Sequence, residues 1–284
     1  MDPNLSSLPL STTAADKENA LRAWLREARS VLIAFSGGVD SSYLAFVAGQ
    51  ELGERALTVT GRSPSLAATE QSAVTQFVTR YRLRHVFLDT HELDNPAYAA
   101  NPPDRCYFCK QELFTRLCAL ATQYGATVIC DGTNADDLKD VRPGRRAAAE
   151  AGVASPLARF GFTKADIRER SRYWGLPTAD KPASPCLASR IPYGQPVTIG
   201  KLTTIERGEE ALRALGFREV RLRHHDRLAR IEIAPEELPR ALDPAMAARL
   251  VAALKPLGFT FITLDLEGFR SGSLNGTEAE RSDL

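Results

Sequence analysis

A short glycine-containing motif, Ser36-Gly37-Gly38-Val39-Asp40-Ser41, joins two stretches of different hydrophobic pattern. The apolar run before it, 31–35, predicts a buried strand, and the spacing of Leu44 and Val47 after it predicts a helix that starts near Ser42. Adjacent glycines let the backbone approach a ligand closely, and the first N–H groups of a helix attract an anion. The motif therefore predicts a phosphate-binding turn between a strand and a helix.

The motif differs from the phosphate loop of common ATPases and GTPases, because no Gly-Lys-Ser or Gly-Lys-Thr follows the glycines. It resembles the SGGxDS signature of the PP-loop ATP pyrophosphatases, which split ATP into AMP and pyrophosphate while they adenylate a substrate. The resemblance implies that the loop holds the pyrophosphate portion of ATP and that Asp40 serves Mg²⁺ and phosphate binding. The residues implied to bind the nucleotide here are Ala34, Ser36, Gly37, Gly38, Val39, Asp40 and Ser41. A serine- and glycine-rich turn of another α/β domain is the alternative.

Strand and helix patterns alternate after this turn. The predicted strands are 56–60, 85–89 and 127–131, and the predicted helices are 69–81 and 108–124. Such alternation predicts an α/β fold with a doubly wound parallel sheet, whose ligands bind at the carboxyl ends of the strands. A smaller α+β unit follows, with helices predicted at 203–215 and within 236–254 and strands at 219–223, 229–233 and 259–264.

The composition of successive segments predicts an arm and two domains. Residues 1–16 predict a mobile arm, 17–196 an ATP-binding domain that includes a cysteine-bearing loop, and 197–284 a small substrate and oligomerisation domain. Five prolines between 177 and 196 predict an ordered or semi-rigid loop, which contains the sequence Ser-Pro-Cys-Leu-Ala-Ser-Arg at 184–190. Long loops in a compact domain are usually functional or disordered, and this motif favours function.

Small polar residues follow two more of the predicted strands. Thr60, Arg62 and Ser63 lie where PP-loop proteins contact adenine, although a plain surface loop fits the same residues. Asp131 and Gly132 begin the segment DGTNADD, where small residues admit a nucleotide and carboxylates can hold Mg²⁺. The same segment also makes a good turn and helix cap, so both interpretations stay open.

The charge balance argues against a nucleic-acid surface. The chain carries 36 lysines plus arginines against 35 aspartates plus glutamates. Its net charge of +1 gives no overall positive potential that would attract a nucleic-acid phosphate backbone. The N-terminus lacks a basic segment followed by an apolar core, and no apolar stretch approaches the length of a bilayer span. We therefore expect a cytoplasmic protein without membrane or nucleic-acid partners.

Five cysteines in a reducing compartment predict ligands or nucleophiles rather than structural disulfides. Cys106 and Cys109 have the spacing that lets two thiolates face one metal centre, and Cys186 is a third thiol on the proline-rich loop. Three thiolates leave one iron of a 4Fe-4S cluster open for chemistry. A zinc site with a fourth ligand and a redox-active pair are the alternatives. Cys118 and Cys130 lie beside apolar residues and are predicted to be inert.

Several motifs together resemble one family of PP-loop proteins. They are SGGVDS, DGTNADD with RPG, SPCLASRIPYG, VRLRHHDRLARIEI and EGFRSG, which span residues 31–272. On these motifs the chain resembles the LarE family, which makes the sulfur groups of the nickel-pincer nucleotide cofactor of lactate racemase. The resemblance implies that MgATP adenylates a carboxylate of pyridinium-3,5-biscarboxylic acid mononucleotide and that sulfur then replaces the adenylate. The implied partners are this small nucleotide and sulfide or another sulfur donor.

The cysteines divide that family into two groups. In members with a single cysteine at the position of Cys186, that residue attacks the acyl-adenylate, gives up its own sulfur and ends as dehydroalanine. Members with three cysteines resemble the iron–sulfur tRNA thiolases and bind a 4Fe-4S cluster. Because Cys106 and Cys109 are present, the resemblance implies the second group. A thiolate bound to iron is not available as a nucleophile, which argues against a sacrificial role for Cys186.

The resemblance also implies roles for charged residues. Lys110 is placed to neutralise a phosphate or a carboxylate, although a solvated lysine is the alternative. The arginines implied to bind the substrate are Arg190, Arg221, Arg223 and Arg270. Arg221 and Arg223 alternate with apolar residues, so both side chains leave one face of a strand. This arrangement suits bidentate binding of a phosphate, and a solvated strand face is the alternative. Glu209 and Glu232 match positions that bind a metal ion at a subunit contact, in homo-oligomers built of trimers. Glu209 also shares an apolar helical stripe with Ile205 and Leu212, which predicts a partner for its carboxylate.

Three other functions share part of this pattern. An ATP-dependent amide ligase would share the loop but needs no cysteine triplet, and a PP-loop tRNA thiolase shares both but brings an RNA-binding or zinc module. A nucleotide-responsive iron–sulfur scaffold would bind ATP without hydrolysing it. Substrate-dependent release of pyrophosphate separates an enzyme from the scaffold, and tRNA binding that weakens with salt would favour the thiolase.

Overall fold

The computed structural model describes residues 13–139 and 143–270. The helices are α1 (Ala14–Ala28), α2 (Val39–Leu52), α3 (Ala68–Arg80), α4 (Pro96–Ala99), α5 (Arg105–Tyr124), α6 (Pro143–Glu150), α7 (Pro156–Arg159), α8 (Lys164–Tyr173), α9 (Ile199–Ala214), α10 (Leu238–Leu242) and α11 (Pro244–Leu254). The strands are β1 (Val31–Ala34), β2 (Ala56–Arg62), β3 (Arg84–Asp89), β4 (Val128–Cys130), β5 (Val220–His225), β6 (Leu228–Ile233) and β7 (Phe261–Leu264). In this described part, no helix combines the length and apolar character that crossing a membrane requires.

The chain forms two compact units. The second unit takes residues 64–67, 96–103 and 185–270 of the described chain, and the first unit takes the remainder. The proline-rich loop from residue 185 onward therefore belongs with the C-terminal part of the chain.

The first unit is built on a parallel sheet with the strand order β3, β2, β1, β4. β1 is buried along its whole length. Val31 and Ile33 belong to one apolar cluster with residues of α1, α2, α3 and α8, whereas Leu32 and Ala34 belong to another with residues of α5 and α6. Helices therefore cover both faces of the sheet, which confirms the predicted doubly wound α/β fold.

The second unit is built on a mixed sheet in the order β5, β6, β7. β5 and β6 pair antiparallel, and β6 and β7 pair parallel. Leu222 and Ile231 of this sheet share an apolar cluster with Leu212 of α9 and Leu254 of α11. This arrangement confirms the predicted smaller α+β unit.

Asn101 orders the proline-rich loop. Its fully buried side chain donates hydrogen bonds to the carbonyl oxygens of Ile191 at 3.2 Å and Pro192 at 2.7 Å. Its φ of 59° lies in the left-handed region, which asparagine tolerates better than most residues. The backbone N–H of Leu187 also donates to the carbonyl of Ser65 at 2.9 Å. Residues from much earlier in the chain therefore hold the loop by hydrogen bonds.

Three helices differ from the prediction at their first turns. α2 begins at Val39 instead of near Ser42, because Gly38 adopts the extended N-cap conformation and Asp40 joins the first turn. α5 begins at Arg105 instead of 108, so the Cys-x-x-Cys pair lies within the helix, and α9 begins at Ile199 instead of 203. Polar, cysteine and glycine residues interrupt the apolar repeat in these turns, so periodicity alone places the helix starts too late. α6 was not predicted at all, because it begins with proline and glycine.

The start of the chain also differs from the prediction. Residues 1–12 of the predicted arm lie outside the described residues, as does the C-terminal part of the small domain after residue 270. Thr13 caps α1 by accepting a hydrogen bond from the backbone N–H of Asp16, so 13–16 open a helix instead of extending an arm. A capping box of Thr163 and Asp166 opens α8.

Gly132 follows β4 and lies against the first turn of α2. A Cβ atom on this glycine would lie 2.9 Å from the backbone nitrogen of Ser41 and 3.1 Å from its Cα. Backbone atoms in a helix cannot yield as the end of a flexible side chain can. The contact therefore requires glycine and fixes the distance between the end of β4 and the glycine turn after β1.

We predict that Gly132→Ala lowers the free energy of unfolding by about 1–3 kcal/mol, because the added methyl group forces the start of α2 away from β4. Urea denaturation of the purified variant measures this loss. The control is Gly200→Ala, because a Cβ atom at Gly200 on α9 would meet no atom within 4 Å. A Gly132→Ala variant as stable as the Gly200→Ala variant would contradict the close contact.

Glu18 on α1 is a buried carboxylate at the centre of a polar network. Its side chain accepts hydrogen bonds from Tyr43 Oη at 2.9 Å, Arg22 Nη2 at 2.8 Å, Arg170 Nε at 2.8 Å and Trp174 Nε1 at 3.0 Å. Burial alone would raise the pKa of Glu18, but the hydrogen bonds from Arg170, Trp174 and Arg22 lower it to about 2. The ionised carboxylate therefore joins α1 to α2 and α8.

The low pKa of Glu18 makes the stability of the first unit sensitive to acid. Ionisation stabilises the fold by about 3 kcal/mol, at ~1.4 kcal/mol per pH unit between the ordinary pKa of 4.5 and about 2. This stabilisation is complete above pH 4.5 and disappears as the pH falls from there towards 2. We predict that urea denaturation across this range shows the loss in the parent but not in Glu18→Gln, which is already less stable at pH 7. Glu27→Gln, at an exposed site of the same helix, should behave as the parent.

Candidate active site

Serine hydroxyls and glycines shape the turn after β1. Ser41 Oγ lies 3.0 Å from Ser36 Oγ and accepts a hydrogen bond from the backbone N–H of Ser36 at 3.3 Å. Gly37 has a φ of 70°, and a Cβ atom there would lie 2.8 Å from Val74 Cγ2. Gly38 is the N-cap and has no side chain to cover the first turn of α2. The turn therefore presents the N–H groups of a helix start, which suit an anion such as phosphate.

Asp40 in that first turn contacts two residues that sequence analysis did not assign to the site. Its carboxylate forms an ion pair with Lys164 and accepts a hydrogen bond from Asn134 Nδ2 at 3.2 Å. The buried Asn134 also accepts from the backbone N–H groups of Asp136 and Asp137, at 2.9 and 3.1 Å, which fixes its amide. Asn134 and Lys164 are 94 and 124 residues from Asp40 in sequence, so only the fold reveals these contacts.

Lys181 is a third residue at this site that was not predicted. Its Nζ donates hydrogen bonds to the carbonyl oxygen of Gly37 at 3.0 Å and to Glu70 Oε2 at 2.7 Å. Ser184 Oγ donates to the other oxygen of Glu70 at 2.8 Å. The glycine turn is thus flanked by cations from outside its own segment, and the Lys181 contact fixes the left-handed residue of the turn.

Asp131, predicted to bind the nucleotide, organises the turn after β4. Its carboxylate accepts hydrogen bonds from the N–H and Oγ1 of Thr133, at 3.1 and 2.8 Å, and from Ser155 Oγ at 2.7 Å. Thr60 Oγ1 donates to the carbonyl of Phe35 at 2.6 Å, which joins the ends of β2 and β1. The ends of β1 and β2 therefore lie close together. The hydrogen bonds of Asp131 hold the turn that follows β4.

The residues predicted near adenine lie at the end of β2. Arg62 Nε forms an exposed ion pair with Asp89 Oδ1 at 2.6 Å, and its guanidinium lies 5.8 Å from the centre of the Phe87 ring. Ser63 Oγ donates a hydrogen bond to the buried Glu92 at 2.5 Å. These contacts hold the segment after β2 against β3 and the turn that follows it.

Two of the three predicted iron ligands lie at the start of α5. Cys106 is exposed, and Cys109 is half-buried. The ammonium of Lys110 lies 5.6 Å from the centre of the Phe114 ring, and a Cβ atom on Gly144 would lie 3.0 Å from Lys110 Cγ. α6 therefore packs against this turn of α5. Within residues 13–139 and 143–270, no three His, Cys, Asp or Glu side chains form a group that could hold a metal ion.

The other two cysteines have surroundings that differ from those of Cys106. Cys130 is completely buried in the apolar cluster under the sheet, and this burial raises the pKa of its thiol. Cys118 is half-buried in the middle of α5. A thiol that stays protonated is a poor nucleophile and a poor ligand, so the environment of Cys130 supports the predicted inert role.

In the second unit, Arg190 holds the segment that carries Cys186. Cys186 is exposed and is the N-cap of a 3₁₀ helix at Leu187–Arg190. The Nη1 of the buried Arg190 donates to the carbonyl oxygens of Pro185 at 2.6 Å and Cys186 at 3.0 Å, and its Nε donates to Glu209 Oε1 at 2.8 Å. Arg190, predicted to bind substrate, thus positions the cysteine segment through its backbone.

Glu209 has the partner that its place on the apolar stripe of α9 required. Besides Arg190, it accepts hydrogen bonds from Arg213 Nη2 at 3.1 Å and from the backbone N–H of Leu222 at 3.3 Å. Burial alone would raise the pKa of Glu209, but the positive charges of Arg190 and Arg213 lower it below its usual value. Glu209 is therefore a buried carboxylate that remains ionised.

Arg223 on β5 forms a second buried pair. Its Nε and Nη2 donate to the two oxygens of Glu232 on β6, each at 2.9 Å, and its Nη1 donates to the carbonyl of Ser189 at 2.8 Å. Arg230 Nη2 donates to the same Glu232 at 2.8 Å. The bidentate geometry expected for a phosphate is thus formed with a carboxylate of the neighbouring strand.

Arg221 lies two residues before Arg223, on the same face of β5. Its guanidinium is 5.0 Å from the centre of the Phe269 ring. Burial and the positive charge of Arg190 lower the pKa of Arg221 to about 10. Arg270, the fourth predicted arginine, forms an ion pair with Glu267 and is half-exposed.

The surroundings of Glu209 and Glu232 do not fit a site for a second metal ion. The oxygens of both carboxylates accept hydrogen bonds from guanidinium groups. A divalent cation uses such oxygens as ligands, so it would have to displace arginine from a buried carboxylate. We derive no role for a metal at these two residues.

Comparisons with known proteins identify the family of this chain. Residues 17–172 match a family model described as asparagine synthase. The chain is 45% identical over 255 residues to an uncharacterized protein of Synechocystis sp., an alignment that covers 90% of this chain and 95% of that protein. It is also 34% identical over 266 residues to the pyridinium-3,5-bisthiocarboxylic acid mononucleotide synthase of Lactiplantibacillus plantarum, with 93% of this chain and 96% of that protein covered. The chain therefore belongs to the family of that synthase, the LarE family, and carries a PP-loop domain.

Proposed function

We propose that this chain is an ATP-dependent sulfurtransferase that converts a carboxylate of pyridinium-3,5-biscarboxylic acid mononucleotide into a thiocarboxylate. The observation that carries the proposal is the identity, over nearly the whole length, to a synthase of the bisthiocarboxylic acid mononucleotide. The helix start after the glycine turn suits the pyrophosphate portion of ATP, which supports the same assignment. The reaction needs ATP, Mg²⁺, the small nucleotide and a sulfur donor.

The proposed order of steps follows from the leaving groups. A carboxylate oxygen attacks the α-phosphorus of ATP, the bond to the β-phosphate breaks, and pyrophosphate leaves. Sulfur then attacks the acyl carbon and AMP departs, because oxide is too poor a leaving group for direct substitution. Mg²⁺, when bound, neutralises charge on the phosphates, and Asp40 is the carboxylate that we propose to hold it. The N–H groups at the start of α2 stabilise the departing pyrophosphate.

We assign the phosphate and carboxylates of the substrate to the arginines of the second unit. Arg221 is the central candidate, because it lies on the same strand face as Arg223 and near the positive charge of Arg190, which an added anion would balance. Arg190 and Arg223 are each paired with a buried glutamate and act by shaping the segment 185–190. Arg270 is half-exposed on the segment after β7 and can join Arg221.

For the sulfur step we propose that Cys106, Cys109 and Cys186 hold a 4Fe-4S cluster. The residue types and the exposure of Cys106 and Cys186 support thiolate ligation. The described residues contain no assembled group of three ligands, so we derive no step through the cluster. In the alternative, Cys186 gives up its own sulfur once per molecule. The trimer-based homo-oligomer and the cytoplasmic location stay predictions.

We predict that Asp40→Asn slows substrate-dependent release of pyrophosphate about a hundredfold, since about 3 kcal/mol of transition-state stabilisation depends on the carboxylate and its metal. A coupled pyrophosphate assay with the biscarboxylate mononucleotide measures the rate. Asp180→Asn, which removes an exposed surface carboxylate, is the control and should leave the rate unchanged. Pyrophosphate release that requires ammonia instead of a sulfur donor would contradict the proposal and identify an amide ligase.

The two models for the sulfur donor predict different behaviour of Cys106→Ala. If the cluster forms, anaerobic reconstitution with iron and sulfide gives the parent visible charge-transfer absorption and repeated turnover, and Cys106→Ala loses both. Cys118→Ala, on the same helix, is the matched control and should retain both. A parent that binds no iron and reacts once per molecule would overturn the cluster and identify Cys186 as the donor.

A further inference from the structure

Glu70, in the first turn of α3, is a carboxylate to which the proposed function assigns no role. Its Oε2 accepts a hydrogen bond from Lys181 Nζ at 2.7 Å, and its Oε1 accepts one from Ser184 Oγ at 2.8 Å. The same ammonium donates to the carbonyl oxygen of Gly37 at 3.0 Å. One carboxylate therefore connects the glycine turn with a serine that lies two residues before Cys186.

The glycine turn also packs directly against α3. A Cβ atom on Gly37 would lie 2.8 Å from Cγ2 of the buried Val74, so the turn and the helix are in close contact. Val74 follows Glu70 by four residues, which places both side chains on one face of the helix. That face of α3 therefore contacts the glycine turn through Val74 and the chain near Ser184 through Glu70.

The segment that leads to Cys186 depends on side chains for its position. Residues 181–186 form no helix or strand, and two of them are prolines, which have no backbone N–H to donate. Arg168 of α8 donates a hydrogen bond to the carbonyl oxygen of Lys181 at 3.2 Å. The backbone is thus held by α8 at the start of the segment, and Ser184 is held by α3 further along.

The bond between Ser184 and Glu70 lies where the chain leaves the first unit. Ser184 is the last residue of that unit before the chain continues into the second. Two residues span at most about 7 Å, so Cys186 stays close to the point that Glu70 holds. This hydrogen bond therefore limits the positions that the exposed thiol can take.

We propose that Glu70 is a positioning residue, which fixes Ser184 relative to the glycine turn and so limits where Cys186 lies during the sulfur step. This role rests on the proposed function, in which Cys186 takes part either as a cluster ligand or as the sulfur donor. A carboxylate suits the task, because a helix start stabilises its charge and an ionised acceptor forms stronger hydrogen bonds than a neutral one.

A carboxylate that only neutralised Lys181 would have a different consequence. The hydrogen bond from Ser184 would then serve no purpose, and Ser184→Ala would behave as the parent. Ser184→Ala removes one hydroxyl group and leaves the ion pair of Glu70 and Lys181 in place. Glu70→Ala removes both contacts, so the two variants separate the two halves of this site.

Hydrogen exchange, measured by mass spectrometry on the full-length chain, tests the position of the segment without any substrate. We expect exchange in 182–190 to be about fivefold faster in Ser184→Ala and in Glu70→Ala than in the parent, because a lost restraint raises the population of open states. Ser72→Ala, at an exposed site of the same helix, is the matched control and should exchange as the parent does. Urea denaturation of every variant identifies exchange that follows from global unfolding.

A second measurement separates the two half-reactions by counting pyrophosphate and thiocarboxylate in the same sample. We expect Ser184→Ala to release pyrophosphate at the parental rate but to form about fivefold less thiocarboxylate per pyrophosphate, because the chain before Cys186 is no longer held. Glu70→Ala should slow both half-reactions, since it also removes a partner of the lysine beside Gly37. Ser72→Ala should keep the parental rate and yield.

Two results would overturn this role. One is exchange in 182–190 that is the same in Ser184→Ala, Ser72→Ala and the parent, and the other is a parental yield of thiocarboxylate per pyrophosphate in Ser184→Ala. A parent that releases no pyrophosphate with the substrate removes the proposed function instead. Hydrogen exchange then still decides whether Glu70 holds the segment.

Discussion

The close contact between Gly132 and the first turn of α2 is the constraint on which the proposed nucleotide site depends. It brings the end of β4 within van der Waals distance of the glycine turn after β1, since the two strands are parallel neighbours. The amide of Asn134 then reaches Asp40, and the start of α8 brings Lys164 to the same carboxylate. One small residue thus allows segments far apart in sequence to form a single charged cluster.

In the same cluster, a helix start without a lysine in its own motif gains positive charge from other segments of the chain. The N–H groups at the start of α2 provide partial positive charge, and the full charges come from Lys164 and Lys181. Lys181 is also bonded to Glu70, so it fixes the turn at Gly37, whereas Lys164 is bonded to the carboxylate proposed to hold Mg²⁺. The two lysines therefore have different partners beside the proposed phosphate site.

The second unit uses buried ion pairs for a structural purpose. Burying the pairs Arg190–Glu209 and Arg223–Glu232 carries a desolvation penalty, which further hydrogen bonds offset. The two arginines also bond the backbone of segment 185–189, and this segment carries the exposed Cys186. The interior of the unit and the position of the thiol are thus linked, and substitution of either glutamate would disturb both.

The sequence alone indicated the parallel sheet, the strand, turn and helix around residues 36–41, and the family, because these depend on local periodicity and on motifs that are continuous in the chain. It also indicated that Glu209 needs a partner, since a carboxylate on an apolar stripe is costly without one. Only the tertiary structure decided which partner that is, where α2 and α5 begin, and that Asn134 and Lys164 contact Asp40. The physical reason is that hydrogen bonds and ion pairs act over a few ångströms in space, whatever the separation of their residues along the chain.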